Sequence, residues 1–92
     1  MARLFHFCVL SSEKTIFEGE VSSVNLPTPF GSVGILARHA PMLCAVEKGL
    51  VRCTEEDGRQ RGILVGDGVA SMAEDGLTLL TADGRLSDPE EE

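Results

Sequence analysis

His6 and Cys8 are the first residues of this chain whose types could do chemistry together. Two apart on an extended segment they share one face, and an imidazole beside a thiolate is half of a zinc site. The other half is missing nearby. There is no CxxC and no HxxxH, and Cys44, Cys53 or His39 would complete a site only by fortuitous proximity. Burial is therefore the expectation for His6 and Cys8, with no metal and no cofactor. Nucleophilic chemistry fares no better. All three cysteines lie in apolar stretches, whereas reactive thiols favour exposed electropositive settings, often at helix N-termini. His39, beside Arg38, is the histidine expected to face water. There is no G-x-S-x-G elbow, and Gly31-Ser32-Val33-Gly34 has neither a Walker lysine nor the GxGxxG pattern. No catalytic residue is assigned.

The most distinctive run is 31–43, GSVGILARHAPML. It makes a poor helix, because Gly31 and Gly34 are costly there and Pro41 disfavours helical geometry at Ala40. It makes a poor ordinary strand too, since Pro41 cannot donate to a ladder. The reading is a shaped surface loop, a short apolar strand through Ile35-Leu36, and a second turn. His39-Ala40-Pro41 has two readings at this point: a plain turn in which His39 caps a backbone group, or a contact loop on a rigid scaffold.

Composition narrows the function classes. A chain of 92 residues is one domain, and a formal charge of −7 argues against nucleic acid and against direct binding to anionic lipid. The acidity itself reads as solubility. With no Trp or Tyr, the core must come from aliphatic residues and four Phe. The start Met1-Ala2-Arg3-Leu4 lacks the pattern of a secretory signal, and no apolar stretch approaches the roughly 20 residues of a membrane span. Three scattered cysteines do not suit a disulfide framework and read as reduced, half-buried hydrophobes in a cytosol-like compartment.

The elements that would position these groups are strands. Asp57-Gly58, Asp67-Gly68, Asp75-Gly76 and Asp83-Gly84 punctuate the second half, with apolar runs 60–65, 69–73 and 77–81 between them. Asp-Gly between such runs is a hairpin signal, because both residues tolerate positive φ. In the first half, 4–10 places Phe5, Phe7 and Val9 on one face, with His6 and Cys8 on the other. Residues 15–17 start a second strand that Gly19 interrupts, as a bulge would, and 21–26 form a third. Residues 42–46 and 50–54 flank Glu47-Lys48-Gly49, another hairpin candidate. The sum is about nine or ten short strands without a helix: an all-β, antiparallel β-sandwich or flattened barrel. The sandwich is expected over 1–86, followed by an acidic, disordered tail over 87–92.

These residues resemble the ε subunit of F-type ATP synthases, called δ in mitochondria. The family signature G-x-x-G-I, then H-A-P-[LM]-L, then a glycine, is matched by Gly31-Ser32-Val33-Gly34-Ile35, His39-Ala40-Pro41-Met42-Leu43 and Gly49. Phe7-x-Val9-Leu10-Ser11, Thr15-Ile16-Phe17-x-Gly19-x-Val21 and Gly66-Asp67-Gly68-Val69 agree in register, so the likeness spans about residues 4–84. It implies a ten-stranded β-sandwich at the foot of the central stalk, non-catalytic, joining the γ subunit to the membrane c-ring. It implies ring contact through Pro29, Phe30, Gly31, Ser32, Val33 and Gly34, and γ contact through Ser11, His39, Ala40, Pro41, Met42 and Cys44. It implies a peripheral location on the cytoplasmic face of a bacterial inner membrane, without lipid insertion. The family's ring loop is polar with a basic residue, so the acidity of this chain is expected to help docking. Ser32 stands where many relatives carry an acidic ring-contact residue. Relatives usually continue past residue 85 into a two-helix hairpin, which 1–92 does not contain. The rival readings are a free-standing β-sandwich adaptor that uses the same loop on an unrelated protein, and a small thiol- or metal-dependent enzyme built on Cys8, His6 and His39.

Overall fold

The computed structural model describes residues 3–89, and these form nine strands and no helix. They are β1 (Phe5–Leu10), β2 (Thr15–Thr28), β3 (Gly31–Leu36), β4 (Met42–Val46), β5 (Gly49–Glu55), β6 (Gln60–Val65), β7 (Gly68–Ala73), β8 (Gly76–Thr81) and β9 (Gly84–Ser87). The hydrogen-bonded order is β4-β7-β8-β1-β2-β5-β6-β9, with β3 added to β2. Every pairing is antiparallel except β1 with β8.

β2 explains how one ladder makes a two-layer sandwich. Its first half pairs with β1, from Val9↔Phe17 to Phe5↔Val21. Its second half pairs with β3 and β5, through Val24↔Ile35 and Val24↔Cys53. The strand passes from one layer to the other near Ser22, where the β5 register shifts between Val21 and Ser23. The corner is polar: Ser22 Oγ donates to Thr54 O at 3.4 Å and Ser23 Oγ to Thr54 Oγ1 at 3.2 Å. The bulge expected at Gly19 is therefore at the corner instead; Gly19 pairs regularly with Phe7. The second and third strands expected from sequence are one continuous strand. It serves both layers, which is why nine strands fill the places of ten.

One core lies between the layers. Phe7, Val9, Leu77 and Leu79 face it from one side, and Leu26, Ile35, Val51 and Ile63 from the other, all fully buried. Phe5, Phe7 and Val9 share the inner face of β1, as the alternation predicts, while His6 and Cys8 point outward and are half-buried. The Phe7 and Phe17 rings meet in a tilted arrangement with centroids 5.6 Å apart. That geometry suits the ring quadrupoles better than a flat sandwich.

The Asp-Gly pairs divide into two kinds. Asp57-Gly58 and Asp75-Gly76 close true hairpins, β5–β6 and β7–β8, and both glycines have positive φ, 86° and 132°. Asp67-Gly68 and Asp83-Gly84 join strands that do not pair with each other, so they carry the chain between layers. Glu47-Lys48-Gly49 is also a layer crossing and not the expected hairpin, because β4 pairs with β7 and β5 with β2 and β6. Asp67 Oδ1 accepts the Lys48 N–H at 2.9 Å and ties two crossings together. At the far end, β9 runs to Ser87, and Pro89 O accepts the Arg52 Nε–H at 2.9 Å. Of the acidic tail expected over 87–92, residues 90–92 lie outside the described residues.

Phe7→Ala is expected to lower unfolding free energy by about 3–5 kcal/mol, because it empties the middle of the core. Leu80→Ala, at a side chain 56% exposed, should cost no more than about 1 kcal/mol. Urea denaturation of the two variants measures both.

Candidate docking surfaces

The β2–β3 hairpin ends in the turn Thr28-Pro29-Phe30-Gly31. Pro29 has the fixed φ that the second position of such a turn requires. Thr28 is buried, and its hydroxyl works twice: it donates to Gly31 O at 2.6 Å and accepts the Phe30 N–H at 3.1 Å. Gly31 sits at φ 110°, a backbone conformation that side chains strain. Phe30 is held outward by this clamp with 98% of its surface exposed. Of the six residues expected at the ring, Pro29, Phe30, Gly31, Ser32 and Gly34 are exposed together, while Val33 turns inward and packs on the core.

The second turn, residues 37–41, begins with Leu36 O accepting the His39 N–H at 3.1 Å. Arg38 occupies the left-handed region at φ 66°, unusual for a residue with a side chain. His39 Nδ1 lies 2.8 Å from Ala40 O, so the ring caps a backbone carbonyl while remaining exposed. Both sequence readings of His39 are thus compatible with one geometry. Ala40 and Pro41 are exposed beside it. Ser11 is at the other end of β1, where its Oγ accepts the N–H groups of Glu13 and Lys14 at 3.3 and 3.2 Å.

Met42 and Cys44 face inward and pack on the core, partly buried, so the alternation of β4 turns Leu43 and Ala45 outward. Leu43 is 74% exposed. The register continues this apolar surface across the layer. Ala45 pairs with Val69, Val69 with Leu80, and Leu80 with Leu10. Val69 and Leu80 are exposed too, and β4 is the outer strand of its layer. An apolar face therefore runs between the ends marked by His39 and Ser11. Sequence reasoning missed Leu43, Val69 and Leu80. The signal was present: the strand Met42-Leu43-Cys44-Ala45-Val46 is apolar at every position, which marks a strand covered on both faces.

The far border of that face is charged. His6 Nε2 lies 3.0 Å from Glu18 Oε2, and its Nδ1 lies 3.1 Å from Glu20 Oε2. Two acceptors on one ring require both N–H groups, so the pair favours the imidazolium. The hydrogen bond to Glu20 raises the His6 pKa, desolvation opposes it, and the Glu18 hydrogen bond with both carboxylate charges adds to the rise. Among the described residues no three His, Cys, Asp or Glu side chains converge as a metal site. All three cysteines are free thiols. Burial raises the Cys8 and Cys44 pKa values, with Glu18 adding at Cys8, and pushes Cys53 up to about 12. None is an activated thiolate.

An exposed hairpin tip and an apolar sheet face lie on one all-strand body, a β-sandwich. Residues 4–85 match the family model described as ATP synthase, Delta/Epsilon chain, beta-sandwich domain. The chain belongs to that family, which bears out the resemblance read from residues 31–43. It is 43% identical over 76 residues to the ATP synthase epsilon chain of Nitrobacter winogradskyi, covering 83% of this chain and 56% of that one. The Bradyrhizobium sp. (strain ORS 278) epsilon chain is 42% identical over the same shares. The chain thus spans little more than half the length of these relatives. Among solved structures, a chain of the Euglena gracilis mitochondrial ATP synthase OSCP/F1/c-ring assembly superposes with a TM-score of 0.83 at 18% identity, covering 90% of this chain and 53% of that one. A chain of the Tetrahymena thermophila mitochondrial ATP synthase central stalk/c-ring gives 0.71 at 13%, covering 90% and 66%. At those identities the likeness is one of fold.

The clamp on His6 has a pH signature. Its folded-state pKa lies above the ordinary 6.5, so its stabilising contribution is complete below that value and disappears as pH rises through the folded pKa. An NMR titration should give a His6 midpoint above 6.5, and the double variant Glu18→Gln, Glu20→Gln should bring it down. An unchanged midpoint in the double variant would contradict the clamp.

Proposed function

We propose that this chain serves as a non-catalytic rotor part of a bacterial F-type ATP synthase. It binds the γ subunit through one surface and the c-ring through another, so that ring rotation turns the shaft and ion flow is coupled to ATP synthesis. It works on the cytoplasmic face of the inner membrane, held there by its protein partners. Support comes from the family, from the epsilon-chain names of the bacterial relatives, and from the stalk and c-ring assemblies of the structural neighbours.

The observation that carries this reading is the path between the two surfaces. The tip with Pro29 and Phe30 is the end of β2, and the other half of β2 is hydrogen-bonded into the layer that bears Leu43, Val69 and Leu80. A sideways force on the tip passes along one covalent strand into that layer, with no hinge between. On this reading the apolar face, bracketed by His39 and Ser11, takes γ. Ala40 and Pro41 support the His39 end, and Met42 and Cys44 back the face from inside. The tip, with Gly31, Ser32 and Gly34 exposed behind it and Val33 as its root, takes the ring.

The chain should co-purify with γ in equal amount. Leu43→Asp combined with Leu80→Asp should weaken γ binding more than tenfold with little change in thermal midpoint, because both side chains are exposed. His39→Asp should weaken it less. A free-standing adaptor would show no γ in the co-purification, and a matching fall in stability and binding would remove the face from the interface.

A further inference from the structure

We infer that Asp75 is a site of spontaneous backbone modification, where the side-chain carboxyl closes onto the Gly76 nitrogen and reopens as isoaspartate. The chemistry is open in principle to all four Asp-Gly pairs, because glycine puts no side chain in the path of the attack. The glycine nitrogen bonds to the aspartate Cγ, and the hydroxyl of the carboxyl leaves as water with the amide proton. Water then adds back to the cyclic imide. Cleavage at the Cγ–N bond restores aspartate. Cleavage at the main-chain carbonyl leaves the chain running through Cβ and Cγ, one atom longer. Nothing is oxidised or reduced, and the mass is unchanged.

The fold sorts the four pairs. Closure needs an aspartate carboxyl free to swing and an Asp-Gly peptide free to turn. At Asp57, Oδ1 accepts the Arg59 N–H at 2.9 Å, and the Gly58 N–H is held by Glu55 O at 2.9 Å. At Asp67, Oδ1 accepts the Lys48 N–H at 2.9 Å, and the main-chain carbonyl accepts the Ala82 N–H at 3.1 Å. At Asp83, the main-chain carbonyl accepts the Gly66 N–H at 2.9 Å and shares the Thr81 hydroxyl. Asp75 is exposed, and outside the strand ladder it makes no hydrogen bond or ion pair among the described residues. Turning its peptide disturbs only the Ala73↔Gly76 rung, the last of the β7–β8 ladder, where pairing opens most easily. Elsewhere each bond that must open first slows closure by roughly two- to tenfold. The product does not fit the closed hairpin. Gly76 lies so near the backbone of His6 that even a Cβ there would collide with it. A longer chain at this point lifts the hairpin end from β1, and with it the wall that Ala73 and Glu74 give to the cleft shared with Arg38 and His39.

The test incubates the whole chain for weeks at physiological temperature and neutral pH, once native and once in urea. Isoaspartate is quantified by methyl transfer from S-adenosylmethionine with a protein isoaspartyl methyltransferase, and placed by peptide mass spectrometry with electron-transfer fragmentation. In the native chain the rate at Asp75 should exceed that at each of Asp57, Asp67 and Asp83 by about tenfold, the effect of one or two bonds that need not open. In urea the four rates should converge. Asp75→Glu should abolish the native signal at this position, because its carboxyl lies one bond further out, and should leave the thermal midpoint in place. In the isolated isomer the His6 amide resonance should move and that of Phe30 should not. A native rate at another Asp-Gly pair equal to that at Asp75, or a native chain without isoaspartate at Asp75, would overturn the assignment. The same bias toward Asp75 in urea would overturn it too, since local sequence and not the fold would then set the rate. An unmoved His6 resonance would overturn the lifting of the hairpin.

Discussion

The structure depends on β2 belonging to both layers. A sandwich of two separate sheets is held only by its core, and its layers can slide or part where packing is weak. Here the ladder of hydrogen bonds never stops: it enters the corner at Ser22 and Ser23 from the β1 side and leaves it on the β3 and β5 side. Shear between the layers would have to break backbone pairing at the corner as well as unpack Phe7, Leu26 and Ile63. That is a backbone constraint laid over a hydrophobic one, and it gives a domain this small its stiffness.

Buried polar groups sharpen the same body at its ends. Thr28 and Thr81 are the polar residues buried among those described, and each hydroxyl is spent on the backbone of a turn. Thr81 Oγ1 lies 3.0 Å from Gly66 O and 2.9 Å from Asp83 O, so its single O–H is shared between the two layer crossings of the second half at the end of β8. Among the described residues no buried side-chain nitrogen or oxygen lacks a hydrogen-bond partner. Turns fixed in this way keep their shape under load, which flexible loops do not.

Much of this was legible in the residues, and the exceptions have physical causes. Alternation in β1 assigned Phe5, Phe7 and Val9 to the core correctly because that strand has one wet face and one dry. The continuity of β2 was hidden because Gly19 and the Ser22-Ser23 pair look like breaks, and only long-range pairing reveals that one is an ordinary rung and the other a corner. The four Asp-Gly pairs look alike locally. Whether each closes a hairpin or crosses between layers is decided by which strands pair, information that a dipeptide does not hold. The tip and the His39 turn were visible through their glycines, proline and family likeness. Val69 and Leu80 were not, because an apolar residue in a strand is assigned to the core by default, and Leu43 was legible only through a strand that is apolar at every position.

The single parallel rung has a consequence for how the molecule comes into being. Within this domain β1 is the first strand to be synthesised, yet its neighbour β8 follows only after six others. Until β8 has been made, the nascent domain holds an apolar β1 with one edge open and no means of closing it. The protein therefore cannot mature strand by strand as it emerges. The β1 edge closes only when β8 arrives, which makes slow, non-local pairing a built-in property of its folding.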